Sequence, residues 1–177
     1  MPEIQMRDPM VKWTPVPDWA TASITRDHWQ ARPVLGLDIV MLAGDMIEAL
    51  VGPAGGTRGL GFLAIAERSD DYVIRIARDR ALMVSGRPID IAHGWHAAGY
   101  SVTPAESAFG IIEISGTALD EIIAEGTATD PVSQSPSAAT LFAGITCLVI
   151  RTAPDAARLH MEIGHMAYLW RWLETRV

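Results

Sequence analysis

Residues 109–130, FGIIEISGTALDEIIAEGTATD, specify a strand followed by a helix more tightly than any other stretch of the chain. Over 109–114, Ile112 and Ile114 alternate with Glu113, the period of a half-buried strand. Ser115-Gly116 interrupts that pattern. Thr117 then stands where a helix N-cap is expected, with Asp120 at the third position of a capping box. Leu119, Ile122 and Ile123 share one helical face, and Asp120, Glu121 and Glu125 lie away from it. Gly126 suits the left-handed position just past a helix end.

The flanking segments extend the same alternation of strand and helix. Leu35, Leu37, Ile39 and Met41 alternate as a strand, Gly44 breaks it, and a short helix is expected from Asp45. Residues 52–61 form a glycine-rich loop whose spacing matches neither phosphate-binding fingerprint. Strands are expected at 62–67 and 72–77 around a hairpin loop, at 81–84, and at 100–103, where Pro104 ends the run. A polar loop over 131–136 precedes a buried strand at 145–150. A second strand at 158–163, with Leu159, Met161 and Ile163 inward, closes a hairpin around 153–155. A final helix over 166–175 places Met166, Leu169, Trp170 and Leu173 on a core face. Tyr168 and Trp172 form a separate i, i+4 pair off that face. The pattern implies an α+β fold, antiparallel sheet or sheets with helices packed on one side. Residues 34–177 read as one such domain, or as two sub-halves meeting near residue 104.

Residues 1–33 read differently. They hold five of the eleven prolines and three of the six tryptophans, Trp13, Trp19 and Trp29, which suggests an extended arm rather than core. Such tryptophans either pack back on the protein's own body or anchor the arm to a partner. A second candidate contact surface is the arginine-rich middle, Arg75, Arg78 and Arg80. It faces either an acidic partner or the chain's own acidic C-terminal half. Tyr168 and Trp172 complete the set of candidate partner-interface residues.

No chemistry-bearing constellation emerges. Ser85 and Ser115 lack a nucleophile-elbow context, and Cys147 sits inside an apolar strand, where a thiol is an inert small hydrophobe. His93 and His96 supply two ligands where zinc needs three or four, and His160 and His165 stand apart. No catalytic, cofactor-binding or metal residue is assigned. A net charge of −7 argues against nucleic acid as a partner. A single cysteine, the absence of an apolar run near membrane-spanning length and no signal-peptide core make a cytoplasmic location the expectation.

Ser115, Gly116, Ala118, Ile122, Ile123, Gly126, Asp130, Thr140, Ala167, Leu169 and Trp170 together carry a resemblance. The runs around them resemble the gamma subunit of the heterotetrameric sarcosine oxidases, itself similar to part of the folate-dependent aminomethyltransferases of the glycine-cleavage T-protein family. The match spans roughly residues 60–177. It departs from the family at Gly164-His165, where Arg-Ser is usual, and at 131–136, which replaces a Phe-containing segment. No equivalent of the folate-anchoring carboxylate is present. The resemblance implies an aminomethyltransferase-like fold and a noncatalytic subunit of an enzyme that oxidises an N-methyl amino acid such as sarcosine. It implies alpha, beta and delta partner subunits holding FAD, FMN, NAD, tetrahydrofolate and zinc. The alternatives are a stand-alone folate-binding or aminomethyltransferase-like enzyme, and a homo-oligomeric binding module.

Overall fold

The computed structural model describes residues 16–45, 59–65, 70–133 and 135–176. Within them the α+β expectation holds, as two six-stranded antiparallel sheets and two short helices. The strands are β1 (Ile24–Thr25), β2 (Gln30–Pro33), β3 (Asp38–Gly44), β4 (Phe62–Ile65), β5 (Tyr72–Ala77) and β6 (Arg80–Ser85). They continue as β7 (Gly94–His96), β8 (Tyr100–Pro104), β9 (Phe109–Ser115), β10 (Ala139–Phe142), β11 (Ile145–Ala153) and β12 (Ala156–Glu162). The helices are α1 (Leu119–Gly126) and α2 (Met166–Glu174). The first sheet has the order β1-β2-β9-β12-β11-β10 and the second β4-β5-β6-β3-β8-β7.

The first sheet is the middle layer. One face packs against both helices: Ile112, Ile114, Cys147, Val149, Leu159 and Met161 meet Leu119, Ile122, Ile123, Met166, Leu169, Trp170 and Leu173. The other face packs on the second sheet, where Ile111, Leu148 and Ile150 meet Ile39, Phe62, Tyr72, Ile74, Leu82 and Val84. Helices therefore lie on one side of the first sheet, as the amphipathic pattern requires, and a second sheet fills the place of solvent on the other. This is why β12 buries residues on both faces, Ala157 to Met161 without interruption, rather than alternating. Ile163 leaves the strand for a 3-10 turn and is 49% exposed, correcting its inward assignment.

The first 33 residues are not an arm throughout. β2 pairs antiparallel with β9, Ala31 opposite Ile114 and Pro33 opposite Ile112, so residues 24–33 belong to the first sheet. Pro33 is tolerated because it ends the strand. Arg26 then reaches the far end of the chain, its Nε donating to the Arg176 carbonyl at 3.3 Å and Nη2 to the Glu174 carbonyl at 3.1 Å. A cation there satisfies the carbonyls that the last turn of α2 leaves unpaired.

Helix α1 starts later and ends differently from its sequence signals. It begins at Leu119 after Ala118, with no side-chain cap. The Thr117 hydroxyl instead donates to the His28 carbonyl at 3.4 Å, and Asp120 ion-pairs with Arg151. Tertiary partners outbid the local capping box. Gly116 is required for another reason: its φ is +130°, and a Cβ there would lie 2.4 Å from the His28 carbonyl oxygen. Gly126 is the last helical residue rather than a left-handed one beyond it. Its hydrogen is forced by the Phe142 ring, whose Cζ would sit 2.3 Å from an added Cβ. The expected helix from Asp45 and most of the 52–61 loop fall outside the described residues.

Candidate functional site

Between the two sheets lies a chain of polar side chains that the hydrophobic pattern does not announce. Arg158 of β12 is 5% exposed. Its Nε donates to Glu113 Oε2 of β9 at 3.0 Å, and its Nη2 to Asp70 Oδ1 at 2.6 Å, just before β5. Glu113 Oε1 in turn accepts from Arg32 of β2, at 3.1 Å from Nε and 2.8 Å from Nη2. The Arg158 guanidinium lies 5.7 Å from the centre of the Tyr72 ring. Next along β12, His160 is fully buried and its Nδ1 stands 3.3 Å from the Leu148 carbonyl. A carbonyl only accepts, so Nδ1 carries the proton; Nε2 then accepts from the Tyr72 hydroxyl at 2.7 Å. The alternation of strands sets this order: odd-numbered β12 residues face the helices and even-numbered ones face the second sheet.

The protonation states follow from this packing. Burial lowers the His160 pKa to about 3 and lifts that of Tyr72 to about 12, so both stay neutral. Burial raises Glu113, but hydrogen bonds from Arg32 and Arg158 outweigh it and leave the carboxyl below its ordinary range. Burial opposes the charge on Arg158, and the hydrogen bond to Asp70 reverses that and holds it cationic. The array joins the two sheets through the bonds from Arg158, itself bonded to Glu113, to Asp70 and from Tyr72 to His160. In the unfolded chain His160 takes a proton near pH 6.5, whereas in the fold it resists until about pH 3. Its contribution to stability is therefore complete above pH 6.5, declines as pH falls through that window, and levels off below about 3. Equilibrium unfolding across pH 7 to 3 should show a loss of up to a few kcal/mol carried by one proton, and His160→Gln should flatten that slope.

The residues expected to touch partners are distributed over different layers. Trp13 lies outside the described residues. Trp29 is buried, 3% exposed, in the helix-side core. Trp19 is half-buried and meets Trp170 edge to face at 5.6 Å. Trp19 and Trp29 thus pack on the protein's own body, one of the two alternatives that the sequence leaves open for them. Trp172 is half-buried too, with the Phe142 ring 5.4 Å away and the Arg176 guanidinium 4.1 Å above it. Tyr168 is 52% exposed and its hydroxyl donates to the Ala143 carbonyl at 2.8 Å. Arg75 is half-buried in β5, where its carbonyl accepts from Ala138. Arg78 and Arg80 stand exposed at the turn joining β5 to β6. The structure thus leaves Tyr168, Arg78 and Arg80 on the surface, with the arginines and Tyr168 on separate elements.

Two open clefts flank α1. The larger, about 480 Å³, is lined among others by Asp120, Thr127, Thr129, Asp130 and Arg151. Its hydroxyls are spent on one another, since Thr140 Oγ1 bonds both Thr127 Oγ1 at 3.0 Å and Thr129 Oγ1 at 2.9 Å. The smaller, about 340 Å³, lies over Thr25 to Gln30 and Ser115 to Thr117. Burial lifts the Cys147 thiol to about 12, which removes its nucleophilicity. His96 donates to the Ala92 carbonyl and stacks on Tyr100. Among the described residues no group of three His, Cys, Asp or Glu side chains is placed to hold a metal, and no helix is long and apolar enough to cross a membrane.

No protein-family model matches the chain. No curated protein matches it. Among solved structures, it is similar to a chain of the heterotetrameric sarcosine oxidase from Corynebacterium sp. U-96 in complex with pyrrole 2-carboxylate. The superposition has a TM-score of 0.61 at 14% identity and covers 82% of this chain and 81% of that one. At such identity the likeness is one of fold.

Proposed function

We propose that this chain is a noncatalytic subunit, of gamma type, in a multi-subunit flavoenzyme that oxidises an N-methyl amino acid such as sarcosine. The observation that carries the reading is the shared fold over four fifths of both chains, which makes the two nearly equal in length. A fold shared over most of one component of a heterotetramer fits a subunit of an assembly of that kind. The interior supports it: the polar groups between the sheets are used up in holding layers together, and the only cysteine among the described residues is buried and inert. In this reading FAD, FMN, NAD, tetrahydrofolate and zinc reside in the alpha, beta and delta partners, the assembly is cytoplasmic, and exposed Tyr168, Arg78 and Arg80 contact those partners.

The test is purification of a tagged copy from its source beside the chain produced alone. The tagged copy is expected to bring down flavin-bearing chains that turn over an N-methyl amino acid. The chain alone is expected to bind no flavin and to oxidise nothing. Stoichiometric flavin in the correctly folded chain, or oxidation of sarcosine by it, would refute the proposal.

A further inference from the structure

The edge hairpin of the second sheet presents an open strand edge beside an exposed indole among the described residues. β7 is one of the two edge strands of this sheet, β4 being the other, with no strand beyond it among the described residues. At its centre Trp95 is 73% exposed, more than any other large hydrophobic described. Residues 91–105, which contain the whole hairpin, carry no Asp, Glu, Lys or Arg, although charged residues make up 20% of the chain. Proteins that stay single shield an open edge with charge, proline or a covering loop. The first sheet follows that rule: β1 is two residues long and runs into Arg26 and Asp27, and the side chains of Thr127 and Thr129 lie against β10 through Thr140. β7 does not.

The hairpin is also held rigid. His96 Nε2 donates to the Ala92 carbonyl at 2.6 Å, and its ring stacks on Tyr100 with centroids 4.4 Å apart and planes within 11°. Gly99, at φ +96°, closes the turn and donates to the His96 carbonyl at 2.9 Å. The backbone that carries Trp95 is therefore held in place, which lowers the entropy cost of pairing with it.

We infer that β7 is a strand-addition surface, and that its occupant is an extended, uncharged segment of a different chain of the assembly. An open edge offers backbone N–H and C=O groups, for which the complementary surface is another extended backbone, and the indole calls for an apolar side chain above it. Area decides against a dimer of this chain held by β7 alone. A tryptophan buries at most about 250 Å², whereas a stable interface takes about 800 Å² from each partner. A three-residue strand with one indole falls well short, so the added segment comes from a chain also held elsewhere. The inference rests on the reading of this protein as a subunit.

Hydrogen exchange on the native complex and on the chain alone tests it. Amides within residues 93–97 are expected to exchange at least about tenfold more slowly in the complex. Trp95→Ser, with an unchanged unfolding midpoint when isolated, is expected to weaken retention of the partner chains at least about tenfold. Equal exchange of these amides in complex and isolated chain would overturn the inference and leave the subunit reading intact. A chain that purifies from its source without partners would overturn both. A dimer of the isolated chain with protected 93–97 amides would show the occupant to be a second copy, and so would overturn the assignment.

Discussion

Arg158→Ala is expected to destabilise the protein by about 3–5 kcal/mol, the range for breaking a buried ion pair by removing one member. The substitution strands Glu113 in the interior with Arg32 as its remaining partner, and leaves Asp70 to relax into solvent. It also deletes the cation from the face of Tyr72. The Nη1 atom of Arg158 is buried and makes no hydrogen bond, so the residue is itself held at some cost. Replacing the pair together, Arg158→Leu with Glu113→Leu, is accordingly expected to cost less than Arg158→Ala alone. Denaturant unfolding of both variants checks this. A single-variant loss below about 1 kcal/mol would mean that water already reaches the array.

Trp29→Ala is expected to cost about 3–5 kcal/mol, as aromatic truncations in cores do. The indole packs with Ile24, Ala31, Ile114 and Leu119 where β2 meets β9 and α1 begins. Its Nε1 is buried and makes no hydrogen bond, so bulk rather than polarity holds it there. Trp29→Phe should therefore cost less than about 1.5 kcal/mol. Thermal and denaturant unfolding of the pair separates volume from hydrogen bonding. Near-wild-type stability for Trp29→Ala would place the residue on the surface, as part of a free arm.

Much of the architecture can be read from side-chain period alone. The helical faces of Leu119, Ile122 and Ile123, and of Met166, Leu169, Trp170 and Leu173, are buried as their spacing requires, and the hairpin of β11 and β12 forms where its turn residues fall. What period misses is long-range. Nothing local in Gln30 to Pro33 announces that β9 lies beside it, because the proline and tryptophan content of that segment resembles a linker. The capping signals at Thr117 and Asp120 are genuine local preferences, overruled by His28 and Arg151 from elsewhere in the chain. The inter-sheet array was hidden for a related reason. Arg158 and His160 occupy the polar positions of an alternating strand, which suggests solvent until a second sheet covers them. Of the candidate contact residues, Tyr168 and Trp172 were separable from the core by helical angle. That angle says nothing of how Phe142 and Arg176 cover the second while leaving the first open.

The order of strands has a consequence for how the chain is made. The second sheet is drawn from one continuous run, β3 to β8, whereas the first takes two strands from before that run and four from after it. On a ribosome the inner run emerges whole and can pair with itself, while Pro33 must wait for Ile112 before it finds its neighbour. At roughly 5–20 residues per second that delay lasts several seconds. During it, the face of the second sheet that carries Ile39, Ile74 and Leu82 has no cover. The interval in which this protein is most exposed to aggregation or to chaperones is thus written into its topology, and it closes only when the last strands and α2 leave the tunnel.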